Sequence, residues 1–454
     1  LEDAVIRLSS PRRPFGLAGR AALAVALASG TALVAVPGLT DAAYAQKKKK
    51  EESEQAKPVY SKEFVAAYQA VETALKAPGA DVAALKPQIL ALVPQAKSPD
   101  EQIALGGMIF NSGITAKDLP MQLQGVEMML ASGKVKPEEV GKFNLVAYQI
   151  SAQLNQYDKA GTYLQKAIDL GYTAPNLTVV DLKMNRAELF FSQERYAEGL
   201  DYLKGVIAEL KAAGQPVDSK LYRRGVAVAY SNEVVPQVYD FVQGWVIDYP
   251  SPESWRDAVN LTRNLNDFEG PVMLDLLRLG KRVGTLKDKN DYIYYIEAAD
   301  TRRLPQEVKD VIEAASSAGA IPKGSDPWVE EQLKLANGLI AEDRAGLPAL
   351  ERDANAASAQ LRTVMAAGDA FLSYGEYAKA AGFYEKALGM AGVDRDLALT
   401  RLGIAQTSAG NAEAARATFA QVSGVRAPIA KLWSAYATQQ GGTAAAAAPA
   451  TNAG

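Results

Sequence analysis

Apolar residues recur along most of this chain at helical spacing, three and four apart, with polar residues between them. The run Tyr292-Ile293-Tyr294-Tyr295-Ile296 comes nearest to a strand. Even there Tyr292, Tyr295, Ile296 and Ala299 align on one helical stripe. Helix starts repeat one device, a proline at the first helical position, where the missing N–H costs nothing. Ser98-Pro99-Asp100-Glu101 adds a capping box, in which the side chains of Ser98 and Glu101 each accept the other's backbone N–H. Ser251-Pro252-Glu253 and Asp326-Pro327-Trp328 place a capping residue before the proline. Lys136-Pro137-Glu138-Glu139 and Leu304-Pro305-Gln306-Glu307 have the proline and acids without a good cap. Expected stops are Gly113, Gly133, Gly171, Gly214 and Gly319, each able to take the left-handed conformation just past a helix. The pattern predicts an all-α protein with helices of roughly 12–18 residues paired as antiparallel hairpins.

Near the C-terminus the pattern repeats itself. Gly368-x6-Gly375-x-Tyr377-x2-Ala380-x3-Tyr384-x2-Ala387 is answered 35 residues later by Gly403-x6-Gly410-x-Ala412-x2-Ala415-x3-Phe419-x2-Val422. Two earlier segments share the second half: Tyr157-x2-Ala160-x3-Leu164-x2-Ala167 and Tyr196-x2-Gly199-x3-Leu203-x2-Val206. These carry Asn155 and Glu194 where the turn glycine is expected. A fixed period of this size marks helical hairpins that bury their cores by stacking on one another. The pattern resembles the tetratricopeptide repeat family, around residues 144–210 and 361–428, with 218–320 reading as degenerate hairpins. The resemblance implies a tetratricopeptide-like α-solenoid that grips a peptide segment in its concave groove. Arg362 and Asp369 would point from a first helix into that groove as partner-binding residues. Ala380, Tyr384 and Ala387 belong to the core, and Leu432-Trp433-x2-Tyr436 reads as a final capping helix over the Gly403 unit.

The ends of the chain read differently. Arg7, Arg12, Arg13 and Arg20 precede an uncharged stretch at 21–39, and Ala43-Tyr44-Ala45 places small residues at a cleavage site. This predicts a signal peptide over residues 1–45, with a retained anchor as the competing reading. Arg12-Arg13-Pro14-Phe15 also resembles a twin-arginine export signal, but no cofactor motif follows that would require folded export. A charged, apolar-poor spacer follows at 46–58. The expected organisation is then a degenerate array at 59–325, C-terminal repeats with the capping helix at 326–437, and a disordered Ala/Gly-rich tail at 438–454.

Composition narrows the chemistry. The chain has no cysteine and no histidine. That removes thiolate and Ser-His-Asp catalysis and the usual zinc ligands. Export without cysteine points to a bacterial periplasm. A formal charge of −3 with no concentrated basic face argues against nucleic acid as a partner. Glu188 and Glu297 read as buried carboxylates, each without a partner acid. Gly106-Gly107 lacks the spacing and lysine of a phosphate loop, and Asp288-x-Asn290-Asp291 lacks EF-hand spacing. Tyr239, Trp245 and Trp255 read as hairpin core or a sticky anchor, and Tyr222-Arg223-Arg224 and Arg302-Arg303 as solvated basic pairs. The expectation is a non-enzymatic scaffold or adaptor, without cofactor or metal, that binds another envelope or secreted protein. A glycan-binding or glycan-processing role is the alternative. No integral membrane span is expected once the signal is cleaved.

Overall fold

The computed structural model describes residues 58–447; the expected signal peptide and nearly all of the charged spacer lie outside them. Among the described residues there are twenty α-helices and no strand, and no helix is long and apolar enough to cross a membrane. The helices form two compact units that meet between Ala213 and Gly214. The boundary expected at 325/326 falls inside the second unit, where one long helix packs against both the helix before it and the helix after it.

The first unit contains α1 (Lys62–Lys76), α2 (Val82–Leu90), α3 (Pro99–Thr115), α4 (Leu119–Ala131), α5 (Pro137–Gln153), α6 (Tyr157–Asp169), α7 (Val179–Ser192) and α8 (Tyr196–Ala212). Helices α3–α4, α5–α6 and α7–α8 pack as hairpins. The α3–α4 contact is backbone on backbone. A Cβ at Gly125 would come within 2.4 Å of the Phe110 amide nitrogen, and one at Gly106 within 2.9 Å of the Gly125 carbonyl. Gly106 is thus a packing residue. Gly113 is one too, and not the expected stop: it lies inside α3, where a Cβ would meet the Gln122 amide at 2.7 Å. The left-handed turn falls on Lys117 instead. The other four expected stops, Gly133, Gly171, Gly214 and Gly319, all have positive φ.

The Ser98–Glu101 capping box forms and does more than its motif requires. Glu101 accepts the Ser98 N–H at 2.8 Å, and also the Lys97 N–H, the Ser61 N–H and the Ser61 hydroxyl at 2.7–2.8 Å. Ser61 is itself the N-cap of α1. One buried carboxylate therefore organises two helix starts some forty residues apart. Burial pushes its pKa up, but hydrogen bonds from Ser61, Ser98 and Lys97 outweigh it and hold the group at about 2.

The second unit contains α9 (Ser219–Ser231), α10 (Gln237–Asp248), α11 (Pro252–Asn264), α12 (Gly270–Arg282), α13 (Lys289–Ala299), α14 (Pro305–Ser317), α15 (Pro327–Asn355), α16 (Leu361–Ser373), α17 (Tyr377–Leu388), α18 (Arg395–Ser408), α19 (Ala412–Phe419) and α20 (Ala427–Ala447). All five prolines assigned to first helical positions open helices: α3, α5, α11, α14 and α15. The four pattern-matched hairpins α5–α6, α7–α8, α16–α17 and α18–α19 turn in one way. Asn155, Glu194, Gly375 and Gly410 all take positive φ, between 56° and 84°. Two of these turns hold an L side chain in a conformation that favours glycine. Between helices, the rings of Tyr384 and Phe419 occupy the space that a Cβ at Gly368 or Gly403 would need.

Helix α20 sets this unit apart. It stacks Trp433 on Phe419, as a cap over the Gly403 unit should, at a centroid separation of 6.5 Å. It also packs against α10, α11, α12 and α18. Lys431 pairs with Asp240, Gln243 donates to the Lys431 carbonyl, and Tyr436 meets Trp255 edge-on. The tail expected over 438–454 overlaps α20, which continues to Ala447, and its remainder lies outside the described residues. Residues 427–437 dock and bear the cost of nucleation, so alanine-rich sequence can extend the helix that it could not start.

Candidate functional site

The densest cluster of perturbed titratable groups lies in the core of the second unit. Helix α12 reads Leu274-Asp275-Leu276-Leu277-Arg278-Leu279, a charged i,i+3 pair among leucines. Asp275 is fully buried. Arg278 Nη1 donates to Asp275 at 2.9 Å, and its Nε and Nη2 fork onto Glu307 of α14 at 2.8 and 2.7 Å. The Tyr295 hydroxyl of α13 also donates to Glu307, at 2.9 Å. Arg426, just before α20, donates to the second Asp275 oxygen at 2.7 Å, and Trp433 Nε1 donates to the Asp275 carbonyl at 2.8 Å. Arg401 of α18 grips both oxygens of Asp369 at 2.6 and 2.7 Å and approaches Asp275 at 3.5 Å. Tyr384 donates to Asp369 at 2.7 Å.

Three carboxylates therefore face three guanidiniums. Burial alone would raise the pKa of Asp275, yet Arg401, Arg278 and Arg426 bring it below the usual carboxylate range. Burial acts on Glu307 in the same direction, and Arg278 overcomes it. The Tyr295 hydroxyl is pushed well up, by burial first and then by Glu307. Asp275 and Glu307 held ionised, and Tyr295 and Tyr384 held neutral, serve a lock better than proton transfer. Arg401 Nη2 makes no hydrogen bond within the protein. Lys281, one turn beyond Arg278, has its pKa lowered by burial, against the pull of Asp310 and Glu307.

The sequence-derived candidates separate on this framework. Asp369 is buried and committed to Arg401 and Tyr384, with Arg303 at 3.4 Å on its outer side. Arg362, two turns earlier on α16, is exposed. The pair thus divides between core and solvent. Glu297 is exposed and Glu188 half-buried, so neither is the buried acid it resembled. Among the described residues the buried acids are Glu101, Asp275, Glu307 and Asp369. Tyr239 and Trp255 are core and Trp245 is half-buried. Among the described residues no group of three or more Asp or Glu side chains gathers as a metal site requires.

The first unit carries a cleft of about 530 Å³ between α6 and α7. Arg186 of α7 is half-buried in its wall and reaches across Gly161 of α6, where a Cβ would come within 2.0 Å of Nη1. Its guanidinium lies over the Phe190 ring at 5.5 Å, and Arg195 lies over the same ring at 4.8 Å. Arg195 forks onto Glu198 at 2.7 and 2.6 Å, whereas Arg186 has no hydrogen bond or ion pair to an acid among the described residues. Exposed Lys166 adds another cation, and Asp158 is the single carboxylate in the lining. Gln165 and Gln193 donate to Asp169 and to the Leu189 carbonyl, which leaves their amide oxygens as acceptors.

No family model and no curated protein matches this chain. The functional reading therefore rests on geometry. The core network pairs its carboxylates with its guanidiniums, with Arg401 Nη2 left over in the interior, and the cleft offers a half-buried cation with no acid partner beside open space. Sequence reasoning missed both. The charged pair among the leucines of α12 was a visible signal for the first. For the second, Arg186 stands where the helical stripe of α7 runs beside Ala187 and Phe190 and an apolar residue would be ordinary.

Proposed function

We propose that this chain is a non-enzymatic interaction scaffold, a tetratricopeptide-like α-solenoid that its N-terminal segment directs to the bacterial periplasm. There it holds another envelope or secreted protein against its helical hairpins. One observation carries the reading: a half-buried arginine without an acid partner lines an open cleft, while the buried charges of the second unit are matched among themselves. Holding a partner needs a surface with unspent donors and acceptors, and this cleft has both. Glycoside hydrolysis works with two carboxylates flanking the bond, and Asp158 stands alone in the lining. A sugar ring would stack on an open aromatic face; Phe190 is overlaid by guanidiniums, which leaves half-buried Tyr157 as the other ring of the lining. The lone carboxylate and the covered Phe190 favour a protein over a glycan. Pull-down of the full chain from an envelope fraction tests the proposal. A protein retained in stoichiometric amount is the expected result; saccharide alone would transfer the reading to glycan binding.

A further inference from the structure

We infer that the α6–α7 cleft docks an extended acidic segment of a protein partner, with Arg186 receiving a glutamate or aspartate carboxylate. This rests on the scaffold reading and narrows it to one site and one ligand chemistry. A guanidinium presents five N–H donors in a rigid plane that matches a carboxylate two at a time. In the neighbouring Arg195 that capacity is met by Glu198. In Arg186 only the Phe190 face is engaged. Two like charges over one ring repel, and an acid beside Arg186 relieves that repulsion. Because Arg186 is half-buried, the pairing is less screened than on open surface. Gly161 makes the seat possible, since any side chain there would strike the guanidinium.

The rest of the cleft fits peptide rather than a small anion. Its volume of about 530 Å³ lies in the range of ligand pockets and exceeds what one carboxylate fills. The amide oxygens of Gln165 and Gln193 accept from backbone N–H groups, and Lys166 offers a second acid a partner at the mouth.

The test is fluorescence anisotropy on the full chain with three probes: a labelled Glu/Ser octapeptide, its Gln/Ser counterpart and an oligogalacturonate. The acidic peptide should bind about tenfold more tightly than the glutamine peptide, the scale of one charge-assisted pair. Arg186→Gln should erase that difference. Gly161→Ala, which keeps the charge but displaces the guanidinium, should weaken the acidic peptide several-fold. Lys62→Gln, at an exposed position of α1, should leave it unchanged. Equal affinity for the two peptides, or an unchanged affinity in both cleft variants, overturns the inference. Arg186-dependent binding of oligogalacturonate without the peptide overturns it also, in favour of a uronic glycan. If wild type and Arg186→Gln retain the same envelope protein equally, the scaffold stands and this docking site falls. If wild type retains no protein, the scaffold reading itself falls.

Discussion

The two units spend charge in opposite ways. In the first, ion pairs lie at the surface: Lys134 of the α4–α5 turn with Asp100 at 3.1 Å, Lys159–Glu127 at 2.9 Å and Lys183–Glu209 at 2.6 Å, each with a side chain substantially exposed. In the second, Asp275, Glu307 and Asp369 meet Arg278, Arg401 and Arg426 in the core, and a C-terminal helix closes over them. Exposed pairs contribute about 0–1 kcal/mol because water competes for both partners. Buried pairs are costly to assemble and more costly to break, since removing one partner strands the other. The first unit is thus open to substitution and to ligands. The second is committed to one arrangement.

The sharpest way to break this contrast is Asp275→Asn, which leaves three buried arginines sharing two acids. A loss of about 3–5 kcal/mol is expected in denaturant unfolding of the full chain. A loss near that of an exposed pair would show that the network is solvated. Trp433→Ala comes next, at roughly 3 kcal/mol or more for the cavity, with the hydrogen bond to the Asp275 carbonyl lost as well. An unchanged midpoint would mean that α20 is not docked.

Glu101 is the exception in the first unit, a buried carboxylate there, and it sharpens the comparison because its partners are neutral donors. Glu101→Gln should cost about 2 kcal/mol at neutral pH. The sign of the acid dependence follows from its depressed pKa. The stabilisation is complete above the ordinary glutamate value near 4.5 and fades as pH falls toward 2. Acid titration of wild type and variant should therefore converge in that window, and parallel curves would contradict the assignment.

The smallest effect is a gain. Glu194→Gly relieves a left-handed turn and should add about 0.5–1 kcal/mol, read as a higher melting temperature. Asn155→Gly should add less, because asparagine tolerates that region better.

What was legible in the sequence is local. N1 prolines, the Ser98–Glu101 box and four of the five stop glycines act within one helix end, where a few backbone groups decide the outcome. Gly113 misled because a glycine also serves close approach, and only the partner helix reveals which use applies. The turns at Asn155 and Glu194 took the glycine conformation because hairpin packing outweighs a residue's own preference. The core network was illegible for a different reason. Asp275 finds Arg401 and Arg426 across more than a hundred residues, and no spacing rule spans that distance. Tyr384 and Asp369 show both sides: the burial of Tyr384 in the Gly368 hairpin was readable, but Asp369 was expected in an open groove, and the Arg401 that holds it in the core lies on the next hairpin.

Because α6 and α17 occupy matching places in the repeat pattern, the central claim can be tested by site-specific photocrosslinking from equivalent positions. A crosslinker replaces Thr162 on the cleft face of α6 in one full-length variant and exposed Gly382 on α17 in the other. Irradiation in the producing cell should give one discrete protein adduct from position 162 and none from position 382. Adducts of equal yield from both, or from 382 alone, would contradict the assignment of partner binding to the first unit.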